Sequence, residues 1–193
     1  AMGLKEGDGG EHLITYHPSG GHKATDFFNE PWLDLDMFQT GHDRTTRDYA
    51  FVGESRKVTP PRPVINGEPR YENHPDRFKP EIYGWMDDSD VRTAAYWSML
   101  SGAAGYTYGC HDIWQMFTIS RRAINGARTD WRESLHLPGS THVMHMKKLL
   151  LSFPWQKMIN DQSIVLNENR KDSMYIVCSM GKARDFIIAY TPM

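Results

Sequence analysis

The chain has 193 residues, with 22 Lys and Arg against 24 Asp and Glu and a formal net charge of −2. That balance offers no basic field for nucleic acid or an anionic membrane, and no run of about eighteen apolar residues exists to span a bilayer. The length fits one domain, or one domain with an appendage, and Cys110 and Cys178 form neither a metal nor a disulfide signature.

In chain order, Ala1-Met2-Gly3 reads as a cloning scar, and the first ten residues lack the apolar segment of a secretory signal. Residues 11–17 predict a short strand broken at Pro18, followed by the Gly-rich loop Ser19-Gly20-Gly21-His22. Residues 26–32 read as a loop or helical turn. A second strand is expected over 33–42, with Gln39 and His42 at its far end, then a short helix over 45–54. Pro60-Pro61 ends anything helical before a third strand over 63–68. The polar stretch 71–88 reads as a loop. It leads to the clearest helix, capped by Ser89 or Asp90, in which Val91, Ala94, Ala95, Ser98, Met99 and Gly102 recur at helical spacing. Residues 104–109 predict a fourth strand, running into Cys110-His111-Asp112-Ile113-Trp114. After an irregular stretch over 120–138, Ser140 or Thr141 caps a helix to about Ser152, which Pro154 ends. Two alternating strands over 174–179 and 185–191 form a terminal hairpin.

Strand, loop, helix and strand in repetition argue an α/β fold with parallel strands. Four such strands are half of a (β/α)8 barrel, which takes about 250 residues, and a lone hairpin is marginal. The expected fold is therefore the second half of a barrel, strands five to eight, over residues 4–162. The first strands of a C-terminal β-sandwich, or linker strands, follow over 163–193.

The organising stretch is Pro63-Val64-Ile65-Asn66-Gly67-Glu68-Pro69-Arg70-Tyr71-Glu72. Pro69 forces Glu68 into extended backbone, and Gly67 lets another group approach closely. Glu68 thus ends a strand, where barrel enzymes keep catalytic groups. The other strands end in Tyr16 and His17, in Gln39 and His42, and in Tyr108, His111 and Trp114, all on one face if the strands are parallel. Flat rings among carboxylates and amides suit sugars, although ordinary core packing uses the same rings.

Several segments resemble the apiosidase-like glycoside hydrolases, bacterial (β/α)8-barrel enzymes acting on plant cell-wall glycans. They are residues 9–18, Asn29-Glu30-Pro31-Trp32-Leu33-Asp34, Gln39-Thr40-Gly41-His42, residues 66–72, Ala94-Ala95-Tyr96-Trp97 and residues 105–109. The resemblance implies that Glu68 is the catalytic nucleophile at the end of barrel strand seven. It also implies that His17, Gln39, His42, Tyr71, His111 and Trp114 contact substrate, that no cofactor or metal is needed, and that the protein is secreted or periplasmic. The family's acid/base carboxylate lies on strand four, upstream of residue 1. Retaining glycosidases need a second carboxyl about 5 to 5.5 Å from the nucleophile. Glu72 lies four residues on, a spacing that pairs side chains only in a helix, and Pro69 opposes helix there. Glu72 is read as a group supporting or touching substrate, or as a structural salt bridge. The chain alone is expected to be inactive, and its open strand edges to invite self-association.

Two rivals stay open. His142 and His145 on one helix raise a metal-dependent hydrolase, although the glutamate of the zincin motif is missing. A non-catalytic carbohydrate-binding module is the other. No Gly-rich phosphate loop follows a strand, which disfavours a nucleotide enzyme.

Overall fold

The structure, a computed structural model, describes residues 2–166 and 170–192. Ala1 of the expected scar, and residues 167–169 and 193 of the expected second domain, lie outside the described residues. The fold is mixed α/β. Helix α1 (Met2–Gly7) opens the chain, and a first sheet comprises β1 (His22–Lys23), β2 (Asp36–Gln39), β3 (Val64–Glu68) and β4 (Gly105–Tyr106) in that spatial order. Strands β2, β3 and β4 are parallel, as their sequence pattern predicts, and β1 joins β2 antiparallel.

The strands alternate in burial. Val64 and Asn66 of β3 point inward, and Phe38 of β2 is fully buried. Asn66 is tolerated there because its amide donates to Asp48 Oδ1 at 3.1 Å and to Ser98 Oγ at 3.0 Å. Asp48 opens α2 (Asp48–Ser55), and Ser98 belongs to α4 (Asp88–Leu100), so one amide ties strand β3 to two helices. Between them lies α3 (Pro80–Tyr83), inside a stretch whose sequence reads as loop.

Helix α4 buries Val91, Ala94, Ala95 and Ser98, the small-residue face its spacing predicts. Its cap is Asp87 rather than Ser89 or Asp90. The Asp87 carboxylate accepts from Ser89 N at 2.9 Å and Asp90 N at 3.2 Å, while Asp90 accepts from Asp87 N at 3.0 Å. Short helices α5 (His111–Trp114) and α6 (Trp131–Ser134) precede α7 (Pro138–Leu151), which packs on α4. Helix α7 begins with Pro138 in its first turn and takes no cap from Ser140 or Thr141. A second, antiparallel sheet holds β5 (Met158–Asn160), β6 (Val177–Gly181) and β7 (Ile187–Tyr190). Its Val177 and Ile188 join Phe38, Val52, Trp97 and Leu100 in one apolar core.

Residues 11–17 do not form the expected first strand. Only one ladder bond forms, from Asp34 N to Ile14 O at 2.9 Å; Ile14 N donates instead to the Asp34 carboxylate at 2.8 Å. A side chain has taken the place of the next backbone acceptor, so the segment runs beside β2 without becoming part of the sheet. The fourth strand shrinks to Gly105–Tyr106, flanked by single hydrogen bonds from Ala104 N to Val64 O at 2.7 Å and from Thr107 N to Asn66 O at 3.0 Å.

Candidate active site

The parallel strands bring β2 and β3 to a common edge, where a register shift sets Gln39 opposite Glu68. Pro69 ends the strand, and the turn beyond is anchored from inside. Arg70 is 1% exposed, pairs with Asp48 and donates to the Arg44 carbonyl at 2.9 Å. A buried guanidinium held this way fixes the backbone on either side of it, including Glu68 and Tyr71. Gly67 has the close approach its sequence implies, since a Cβ there would fall 1.9 Å from the Met37 methyl.

The Glu68 side chain is one-fifth exposed. His17 Nε2 lies 3.0 Å from its Oε2 and His42 Nε2 lies 3.5 Å from its Oε1. The hydrogen bond from His42 does most to hold the Glu68 carboxyl below the ordinary range; burial opposes it, and His17 assists. Burial, followed by the negative charge of nearby Glu68, pushes the Tyr71 phenol up to about 12. The Tyr71 ring presses on Gly109, where a Cβ would sit 2.1 Å from it.

Around Glu68 opens a pocket of about 320 Å³ lined by Gln39, His42, Tyr71, Phe78, His111 and Trp114, together with His74 and Asn125. Trp114 and Phe78 are more than half exposed. Of the residues singled out from the sequence, Gln39, His42, Glu68, Tyr71, His111 and Trp114 line this one pocket, and His17 meets it through Glu68. Glu72 faces elsewhere. It is buried, accepts from Gly139 N at 3.1 Å with both oxygens and from the Tyr108 hydroxyl at 2.6 Å. Burial raises its pKa. The partners are neutral, and Glu72 fastens the start of α7 to the loop after β3 rather than forming a salt bridge.

His74, Phe78 and Asn125 were not legible as pocket residues. His74 and Phe78 come from the stretch read as polar loop. Asn125 comes from the irregular stretch that buried Asp112 gathers by accepting from Asn73 Nδ2, from Arg128 N at 3.0 Å and from Ser134 Oγ at 3.1 Å. A motif spacing could not find them, because no element period runs through these loops. His142 and His145 are not part of the pocket. Their rings stand 6.5 Å apart, and the Arg92 guanidinium donates to His142 Nδ1 at 3.0 Å. Among the described residues no three His, Cys, Asp or Glu side chains converge on a metal position.

A family model described as the apiosidase-like catalytic domain matches residues 1–157. The chain belongs to this family. Among solved structures, a protein described as a glycoside hydrolase is 32% identical at a TM-score of 0.87, over 94% of this chain and 44% of its own. A glycoside hydrolase family 5 protein from Bacteroides vulgatus is 31% identical at a TM-score of 0.86, over 93% of this chain and 43% of its own. The chain thus spans less than half the length of these neighbours. No curated protein matches it.

Proposed function

We propose that the protein is a retaining glycoside hydrolase acting on plant cell-wall glycans of the pectic kind, with Glu68 as its nucleophile. One observation carries the reading: a carboxylate at a strand end, drawn below its usual pKa by His42, opens into a pocket flanked by exposed aromatic rings. Membership of the apiosidase-like family and the glycoside hydrolase neighbours support it.

A retaining mechanism asks two things of two carboxyls: one ionised to attack the anomeric carbon, one protonated to release the leaving oxygen. Glu68 meets the first requirement. As its oxygen bonds to the anomeric carbon, the glycosidic bond breaks and the leaving oxygen takes a proton from the partner acid. Tyr71, still protonated far above neutral pH, keeps a neutral hydroxyl in the pocket with Glu68 throughout. Trp114 and Phe78 offer apolar faces to the sugar ring, and Gln39, His42 and His111 offer polar atoms to its hydroxyls. Among the described residues Glu68 is the single carboxylate lining the pocket, so the acid/base is assigned to a residue outside 1–193, and these residues alone are inactive.

In this reading β2, β3 and β4 are strands six, seven and eight of a (β/α)8 barrel, and residues 11–17 follow the course of strand five. Residues 163–193 begin a C-terminal β-domain, to which β5 also contributes a strand. The parallel pairing of β2, β3 and β4 and the greater length of the neighbours support this division. The exposed side chains of Leu13, Tyr16 and Phe27, the last two with rings 5.6 Å apart, make self-association of residues 1–193 the expected state.

The test uses the full-length protein on aryl glycosides and pectic oligosaccharides. Glu68→Gln is expected to lower kcat by about 10⁴-fold or more, and proton NMR of the first-formed sugar is expected to show the substrate's anomeric configuration. Undiminished turnover by Glu68→Gln, or an inverted product, contradicts the proposal.

A further inference from the structure

His42 reaches Glu68 with no second hydrogen bond to aim it. Its Nε2 faces Glu68 Oε1, but its Nδ1 is buried without a partner among the described residues. The ring is held by the surfaces around it. His74 stacks on it with centroids 3.9 Å apart and planes 19° from parallel, while Tyr71 closes one edge at 4.8 Å. His74 is itself immobilised. It is 2% exposed, its Nδ1–H donates to the Pro75 carbonyl at 2.7 Å, and the Phe78 and His111 rings meet it edge-on at 4.8 and 4.3 Å. His111 is fixed in turn by donating to the carbonyls of Ile124 at 3.0 Å and Asn125 at 3.1 Å.

We propose that His74 is a positioning residue: its ring, pinned to the Pro75 carbonyl, is the platform that keeps His42 Nε2–H on the Glu68 carboxylate. The inference rests on Glu68 being the working carboxylate, as proposed above. Two charged imidazoles stacked this closely in a buried site repel, so the platform must be uncharged. Burial does most to bring this about, drawing the His74 pKa down to about 3, and the nearby His42 and His111 add to it. The titratable groups facing the stacked pair are Glu68, Tyr71 and His111, with His17 beyond Glu68 and Asp112 behind His111. Glu68 and Asp112 are the carboxyl groups among these, and Glu68 lies on the His42 side.

The experiment reads the Glu68 carboxyl by carbon-13 NMR titration, with the resonance assigned through Glu68→Gln and no turnover required. His74→Phe keeps a flat face in the same place; His74→Leu fills the space without one, and His74→Ala removes it. The Leu and Ala variants are expected to raise the Glu68 midpoint by about 1 pH unit, as His42 leaves the carboxylate. His74→Phe is expected to leave it near the wild-type value. If His74→Ala does not fold, the Leu and Phe variants decide. An unmoved midpoint in His74→Leu overturns the proposal, and so does a Phe midpoint displaced as far as the Leu one. Since the titration needs no substrate, a full-length protein without hydrolytic activity would refute the glycosidase reading and leave this result standing.

Discussion

Replacing His74 by Phe should make the protein more tolerant of mild acid. The native imidazole has its pKa drawn from 6.5 down to about 3, chiefly by burial. A base whose folded pKa is depressed is protonated first in the unfolded chain. Its contribution to stability is therefore fully present above about pH 6.5, is lost progressively as pH falls, and levels off below about 3. At 1.36 kcal/mol per pH unit, the loss between pH 7.5 and 4.5 amounts to about 2.6 kcal/mol. Phenylalanine carries no proton, so His74→Phe should lose that much less over the same interval. His111, whose pKa burial also lowers, and the carboxylates held down by hydrogen bonds act in both proteins and cancel in the difference. Urea unfolding followed by tryptophan fluorescence at pH 7.5, 6.0 and 4.5 gives the comparison directly. Parallel pH dependences for the two proteins would refute the assignment of His74 as a buried neutral ring.

Three further outcomes are expected. Gly109→Ala places a methyl where the Tyr71 ring lies, so Tyr71 must swing away from Glu68; kcat of the full-length protein should fall about tenfold or more, with thermal stability lowered by a few degrees, and unchanged kcat would show that Tyr71 is dispensable. Trp114→Ala removes an exposed ring from the pocket wall, which should raise KM about fivefold and leave kcat nearly unchanged, measured by steady-state hydrolysis. In light scattering, residues 1–193 should run as a dimer or larger species through exposed apolar side chains such as Leu13, Tyr16 and Phe27, and a clean monomer would count against those side chains being sticky.

Much of the site was legible because its signals are local. Asn66-Gly67-Glu68-Pro69 fixes a strand end by backbone chemistry alone, and the alternation of β2 and β3 and the spacing of α4 carry their own periods. Elements that exist only through a distant partner were not. Strand β1 has two residues and β5 three, too few to show a period, and each is defined by the strand it pairs with. Residues 11–17 have the composition of a strand, yet the Asp34 side chain takes the bond the ladder needed. Asp87 rather than Ser89 caps α4 because Asp90 returns a bond to it, a reciprocity that either residue alone does not announce. His74 carries no sequence signal at all, since its role comes from being folded against His42 and His111. Glu72 stands close to Glu68 in sequence, but the turn after Pro69 sends it toward Gly139 instead.

The most direct measurement is mass spectrometry of the full-length protein after incubation with a slow-turnover fluorinated glycoside that arrests the covalent intermediate. The account predicts a glycosyl adduct on the peptide carrying Glu68, absent from Glu68→Gln. A protein that turns over glycosides yet carries the adduct on another residue, or forms none, would contradict it.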